Sequence, residues 1–391
     1  MRKIYAGVFG SGLGHITRVY SIANVVESQY EAHFLYSTFD EAFDFLKRME
    51  KDVLLSPSVD IEWNQDGGFS GKRTVVKLPF HIRNFSSQIA FESRRISKYV
   101  PNVTITDSRL STLIGAKANR LPAITIVNQF KILLPPRARR HKLSSVYERI
   151  GGDTLGFFWS MSDYVLFPDL PPPFTIGEAN VAGSDLAKKV HFIGFISPNL
   201  ESRISEKQIE SVRNQLGIDS RPLVFIQISG PERTKTHFIE IALNVAKYIS
   251  KEYNVVISKG VASGATLPSK LNSGVLVYEW CPVKDELFLM SDLVVARAGH
   301  TTISQCIENG KQAVLVPIYN HSEQLSNADK FVKLGLGIKI RSEELTRERL
   351  VAAVRNCTED SSYKENALKL QRVSDRYNGI QNAVEVVKEF L

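Results

Sequence analysis

The chain has 391 residues, 43% hydrophobic and 23% charged, a globular balance whose length fits two domains rather than one. It contains no run of the roughly 18 apolar residues that a membrane span requires, and the opening Met1–Gly14, broken by glycines, does not make a signal peptide. The cysteines, Cys281, Cys306 and Cys357, lack metal-ligand spacing and suit a reducing cytoplasm. Short apolar runs predict strands at 3–9, 32–37, 103–106, 122–127, 163–167 and 190–193, with helices at 15–28, 39–50, 80–99 and 140–160. The polar stretch Ser197–Arg203 reads as a linker. Strands then follow at 222–228, 253–258, 275–278, 292–296 and 312–316, with helices at 233–250, 283–290, 300–309, 321–334 and 343–355. Two more helical segments run from Asp360 to Leu391. This alternation predicts an α/β fold of two Rossmann-like, doubly wound parallel-sheet domains, 1–196 and 204–375, facing across a cleft that both sets of strand C-termini approach.

Net charge is +8 and uneven: residues 1–200 carry +6, residues 201–391 only +2. Ser108–Tyr147 holds eight basic residues and no acidic one: Arg109, Lys117, Arg120, Lys131, Arg137, Arg139, Arg140 and Lys142. Such a field favours an anionic partner (nucleic acid, phospholipid or a phosphorylated substrate), unless it is simply a solvated basic face.

The first strand ends in Gly10-Ser-Gly12-Leu-Gly14-His15-Ile-Thr-Arg18, followed at once by an apolar-periodic helix. Glycines such as Gly12 and Gly14 let backbone approach an acceptor or phosphate, and a helix N-terminus offers unpaired N–H groups. His15 at that mouth can take a proton near neutral pH, although a packed or capping histidine would look the same. Asp107 closes the strand Val103–Thr106 at the same sheet edge. There it either orients the imidazole as a dyad partner or caps the next helix.

In the second half, the strand Val224–Ile228 runs into Ser229-Gly230-Pro-Glu-Arg233 and a helix, an anion-binding arrangement to which Arg233 adds charge. A plain tight turn would read alike. Further on, Trp280 offers a flat face for a base, and Gly299, His300, Thr301 and Thr302 place N–H groups and hydroxyls at a helix start for a diphosphate. Glu323 and Gln324 supply acceptors and donors for sugar hydroxyls.

The order Trp280/Pro282, Gly299–Gln305 and Glu323-Gln324…Asn327-Ala328 resembles the nucleotide-sugar-binding half of GT-B glycosyltransferases, in the MurG-like and UDP-glycosyltransferase branch. The N-terminal Gly-x-Gly-x-Gly-His-x-x-Arg and Ser229–Glu232 resemble its archaeal and bacterial members. That resemblance implies an acceptor-binding first domain, a donor-binding second one, and a last helix, about 376–391, crossing back onto the first. It further implies Trp280 on uracil, Gly299–Thr302 on the diphosphate, Glu323 and Gln324 on the donor sugar, and His15 with Asp107 as the base. One departure stands out: Gln305 occupies the place where the family has a glutamate for both ribose hydroxyls, and Glu308 is a candidate substitute.

The expected activity is inverting, metal-independent transfer of a sugar, such as N-acetylglucosamine or another hexose, from a UDP-sugar to an acceptor hydroxyl. No cofactor is expected, and the chain has no Asp-x-Asp for a metal. Phe130–Arg137, mixing apolar residues with cations, suits a membrane surface, so Lys131, Arg137, Arg139 and Arg140 are expected to meet an anionic headgroup or a polyprenyl-phosphate-linked glycan. The expected location is the cytoplasm, at the inner face of the membrane. An epimerase on the same scaffold is the alternative. A nucleic-acid-binding role is more remote, since basic and aromatic residues do not interleave.

Overall fold

The computed structural model describes residues 1–58, 78–130, 134, 144–181, 190–196, 204–261 and 264–391. They divide into two compact units, the second ending at Arg376, with Tyr377–Leu391 belonging to the first.

Unit 1 is built on β1 (Arg2–Val8), β2 (Ala32–Thr38), β3 (Val53–Leu55), β4 (Val103–Asp107), β5 (Ala123–Ile126), β6 (Tyr164–Phe167) and β7 (Val190–Phe192). They pair in parallel in the order β3-β2-β1-β4-β5-β6-β7. Ile4 to Val8 are buried on both faces of β1, as a central parallel strand requires. The helices are α1 (Gly14–Gln29), α2 (Asp40–Arg48), α3 (Leu78–Tyr99), α4 (Leu110–Ala118), α5 (Ser144–Trp159), the one-turn α6 (Glu178–Val181) and a C-terminal segment, Gly379–Lys388. α1 lays Ile16, Val19, Ile22, Ala23 and Val26 on the sheet, and Ala383, Val384 and Val387 of the C-terminal helix join the same core. Each large side chain so buried contributes about 1.5–3 kcal/mol relative to exposure.

Unit 2 opens with α7 (Glu206–Leu216), started by a capping box between Ser205 and Gln208 and ended by Gly217 at φ +65°. Its sheet runs β10-β11-β9-β8-β12-β13-β14. The strands are β8 (Leu223–Gln227), β9 (Asn254–Ser258), β10 (Ser269–Asn272), β11 (Val275–Tyr278), β12 (Leu293–Ala296), β13 (Ala313–Leu315) and β14 (Gly337–Lys339). All pairs are parallel except the edge pair β10–β11. The helices of unit 2 are α8 (Thr236–Ile249), α9 (Lys284–Met290), α10 (His300–Glu308), α11 (Ser322–Lys333), α12 (Arg347–Glu359) and α13 (Ser361–Ser374); the C-terminal helix of unit 1, Gly379–Lys388, is α14.

The short strands β3 and β14, the polar β10, and helices α4 and α7 add to the sequence expectation. α12 starts later than 343 because Thr346 accepts from the Arg349 N–H and so fixes the N-cap. No helix among the described residues is long and apolar enough to cross a membrane.

Candidate active site

In unit 1 the register of β1 against β4 sets Val8 beside Asp107, and the Phe9 N–H donates to the Asp107 carbonyl at 3.1 Å. The chain then turns through Gly10, where a Cβ would lie 2.3 Å from the Phe39 carbonyl oxygen, and Gly12, at φ +78°. These two positions bring α1 in over the end of β4. His15 and Arg18, one turn apart on α1, face the same way and both reach Asp107.

Asp107 is completely buried. Its Oδ1 lies 2.8 Å from His15 Nδ1, and Arg18 donates to both of its oxygens. Burial opposes its charge, but Arg18 and then His15 outweigh burial and hold the carboxyl below its ordinary range. Asp107 does not cap α4, whose N-cap is Arg109 without a side-chain bond.

A carboxylate only accepts, so Nδ1 must carry the hydrogen at 2.8 Å. Arg18 Nη2, 3.0 Å from Nδ1, is then a second donor aimed at the same carboxylate. This assignment leaves Nε2 with its lone pair, on an imidazole that is 24% exposed and packed edge-on against Phe9. The arrangement can accept a proton from outside and stabilise the resulting imidazolium. Arg18 stood in the sequence motif without a role; its spacing of three from His15 was the available signal.

Gly14 opens α1, and Gly12 leads into it. The Gly12 N–H donates to Glu41 Oε2 at 3.3 Å, and Ser11 Oγ to Asp40 Oδ2 at 3.4 Å. The loop's Gly12 N–H and Ser11 hydroxyl are thus directed at these two carboxylates.

The basic field also looks different in three dimensions. Arg109 is 2% exposed and pairs with the buried Glu92 at 2.7 Å, so it belongs to an interior network with Ser37 and not to a surface. Lys117 pairs with Asp163 at 2.6 Å. Lys131, Arg137, Arg139, Arg140 and Lys142 lie outside the described residues.

In unit 2 the remaining candidates all follow strand C-termini along one sheet edge. Ser229, Gly230 and Arg233 follow β8, Trp280 follows β11, Gly299–Gln305 follow β12, and Glu323–Gln324 follow β13. From β11 to β13 is four strand steps, roughly 19 Å at about 4.8 Å each, the span of an extended ligand. Ser229, Gly230, Arg233 and Thr301 are exposed, while Trp280, Gly299, His300, Thr302, Glu323 and Gln324 are part-buried. Gly299 is the N-cap of α10 and makes no side-chain cap hydrogen bond, and the N-terminal end of the helix dipole lies at this position.

Gln324 Oε1 accepts from the Ile318 N–H at 3.0 Å, which reserves its amide N–H groups for an outside acceptor. Its own N–H donates to His321 Nδ1, the N-cap of α11. Burial pushes the His321 pKa down, keeping it neutral for that role. Asn327 is fully buried and donates to the Ala298 carbonyl at 3.4 Å, bracing the turn into α10 rather than meeting a ligand. Gln305 is 7% exposed, within the buried run Ile303–Ile307 of α10.

Two family models match the chain: the glycosyltransferase family 28 C-terminal domain over residues 233–383, and glycosyl transferase family 1 over residues 1–142. An uncharacterized glycosyltransferase of Methanopyrus kandleri is 26% identical over 328 residues, covering 82% of this chain and 87% of that protein. The UDP-N-acetylglucosamine–N-acetylmuramyl-(pentapeptide) pyrophosphoryl-undecaprenol N-acetylglucosamine transferase of Streptococcus gordonii is 28% identical over 191 residues, 47% of this chain and 52% of that one. The crystal structure of MurG from Acinetobacter baumannii has the same fold, with a TM-score of 0.63 at 15% identity and all of both chains covered. These matches name transferases and none names an epimerase. The chain is a glycosyltransferase of GT-B architecture that resembles the MurG-like and UDP-glycosyltransferase branch.

Proposed function

We propose that the chain transfers a sugar from a UDP-sugar to an acceptor hydroxyl with inversion, using His15 as base and no metal. The observation that carries this is the His15–Asp107–Arg18 cluster, which leaves Nε2 as a proton acceptor on a part-exposed imidazole backed by a buried carboxylate. Nε2 takes the hydroxyl proton while the oxygen attacks the anomeric carbon from the face opposite the diphosphate. The C–O bond to the nucleotide breaks, and UDP leaves with the electron pair. The N-terminal amides of α10, with Thr301 and Thr302, meet the charge that develops on the leaving oxygen. Trp280 holds the base, and Glu323 and Gln324 hold the sugar. Residues 1–196 would then be the acceptor domain and 204–375 the donor domain. Thermal melts with a panel of nucleotide sugars test the donor. A UDP-sugar at ~100 times its Kd should add ~2.7 kcal/mol of stability, and no shift with any of the panel would refute the reading.

The acceptor we infer is lipid-linked, met at the cytoplasmic face of a membrane. Val146, Ile150 and Phe157 stand 43%, 59% and 65% exposed on α5, whose start directly follows the basic stretch ending at Lys142. Apolar side chains beside a run of cations suit an anionic bilayer. The Streptococcus gordonii relative is named for an undecaprenol-linked acceptor. Flotation with phosphatidylglycerol vesicles decides: binding that weakens with salt is expected, and failure to float at low salt rules the surface out.

A further inference from the structure

Unit 2 contains a cavity of about 260 Å³ at the ends of β8, β12, β13 and β14, lined among others by Arg233, His237, Phe238, Arg297, Tyr319 and Ser342. Arg297 is 4% exposed and lies over the Phe238 ring, 4.8 Å from its centre. Its Nη atoms donate to the carbonyls of Val316, Pro317 and Thr234 and lie 3.1 Å from Ser342 Oγ, all neutral partners. Its Nε has no partner, and no carboxylate is among the partners of its side chain in the described residues. Burial lowers its pKa to about 10, which still leaves it charged at neutral pH.

A buried cation without a counter-charge is costly, and an anion in the adjoining cavity lowers that cost. Two further basic side chains, Arg233 and His237, stand exposed on the same rim with no ion pair among the described residues. Glu343 is the one carboxylate on the lining, and it is exposed and therefore screened by water.

Position narrows the ligand. The Ile318 side of the cavity is fixed by the Gln324 Oε1 bond, so the wall is continuous with a residue assigned to the donor sugar. Along the sheet edge the cavity lies toward β14, at the end opposite Trp280. Base, diphosphate and sugar in that order bring the sugar next to it.

We propose that this cavity is an anion subsite, taking a carboxylate or phosphate carried by a substrate beside the seat of the transferred sugar. The inference rests on the donor-site reading above. Its two sources differ: a uronic acid as the transferred sugar, or a phosphate on the acceptor.

Calorimetric titration of the full chain separates them, with UDP, UDP-glucose, UDP-glucuronate and farnesyl phosphate as probes. The variants are His237→Glu and Ser342→Asp. Glu is favourable in the first turn of α8, so the first should fold, and the second gives Arg297 an internal carboxylate. If the sugar brings the anion, UDP-glucuronate binds about tenfold or more tighter than UDP-glucose, and both variants erase that preference. If the acceptor brings it, the preference is absent and farnesyl phosphate binding falls by a similar factor. Unchanged affinity for both anionic probes in both variants overturns the subsite. Failure of UDP to bind the natural chain counts against the donor reading instead, and the farnesyl phosphate arm still decides the cavity.

Discussion

Replacing Asp107 by Asn keeps the shape of the side chain and removes half of its accepting capacity. Asp107 Oδ2 accepts from Arg18 Nε, while Oδ1 faces both Arg18 Nη2 and His15 Nδ1, the latter at 2.8 Å. An amide oxygen can occupy only one of these places. Keeping the Nε bond turns the amide N–H groups toward Nδ1, which must then accept, and the ring hydrogen moves to Nε2. A protonated Nε2 is no base. The expected loss in kcat is about 10²–10⁴-fold with donor KM little changed, the range for a removed or mis-set general base. Arg18, also buried, loses its carboxylate, and breaking a buried pair costs about 3–5 kcal/mol. The assay is single-turnover transfer at saturating donor, run beside thermal melts at the same pH. An acid titration adds an independent check. The folded pKa of Asp107 is depressed, so its stabilisation is complete above the unfolded value of about 4 and is lost as pH falls through the folded value. The natural chain should therefore lose stability below pH ~4 more steeply than Asp107→Asn. A folded Asp107→Asn protein within about threefold of the natural kcat would refute the tautomer argument.

Three further substitutions address the donor unit. Trp280→Ala should raise donor KM about 5–100-fold, the loss of one base-stacking contact, with kcat at saturation retained; an unchanged KM removes the base from that position. Gln305→Glu should tighten UDP binding about 3–10-fold in a titration by restoring a second acceptor for ribose hydroxyls, and equal or weaker binding places the ribose elsewhere. Glu308, held up to about 8 by burial and then by Asp375, takes up a proton on folding between the ordinary 4.5 and 8, so stability falls as pH rises through that window. Glu308→Gln should melt higher than the natural chain at pH 8–9 by the equivalent of about 1–3 kcal/mol and match it below pH 5, and parallel pH profiles would count against a raised pKa.

Much of the fold was legible because central parallel strands are buried on both faces. β1, β8 and β12 stand in the sequence as unbroken apolar runs. β3 and β14 escaped because three residues carry no period, and β10 because its Ser-Lys-Leu-Asn edge is mostly exposed. α4 buries Ser111, Thr112, Leu113, Gly115 and Ala116 around most of its circumference, so it shows no apolar stripe. The start of α7 was written plainly as Ser205-x-x-Gln208, but its mean composition is polar and it followed a stretch that already read as linker.

The site was legible where backbone position alone determines role and opaque where a counter-charge does. Asp107 could be placed from the end of one apolar run, and Gly299 from the end of another, because a doubly wound sheet gathers strand C-termini at one edge. Arg18, Arg109 and Arg297 are three basic residues in one chain with three different fates. The first finds a carboxylate beside the base, the second a buried glutamate 17 residues away in sequence, and the third finds none among the described residues. Only the packing of α1 and α3 against the first sheet, and of Phe238 against the second, separates them. A run of cations therefore reports that negative charge must be met somewhere, while the partner is decided by which helix covers which strand. That is why Arg109 left the basic surface and Arg297 became the residue that asks for a ligand.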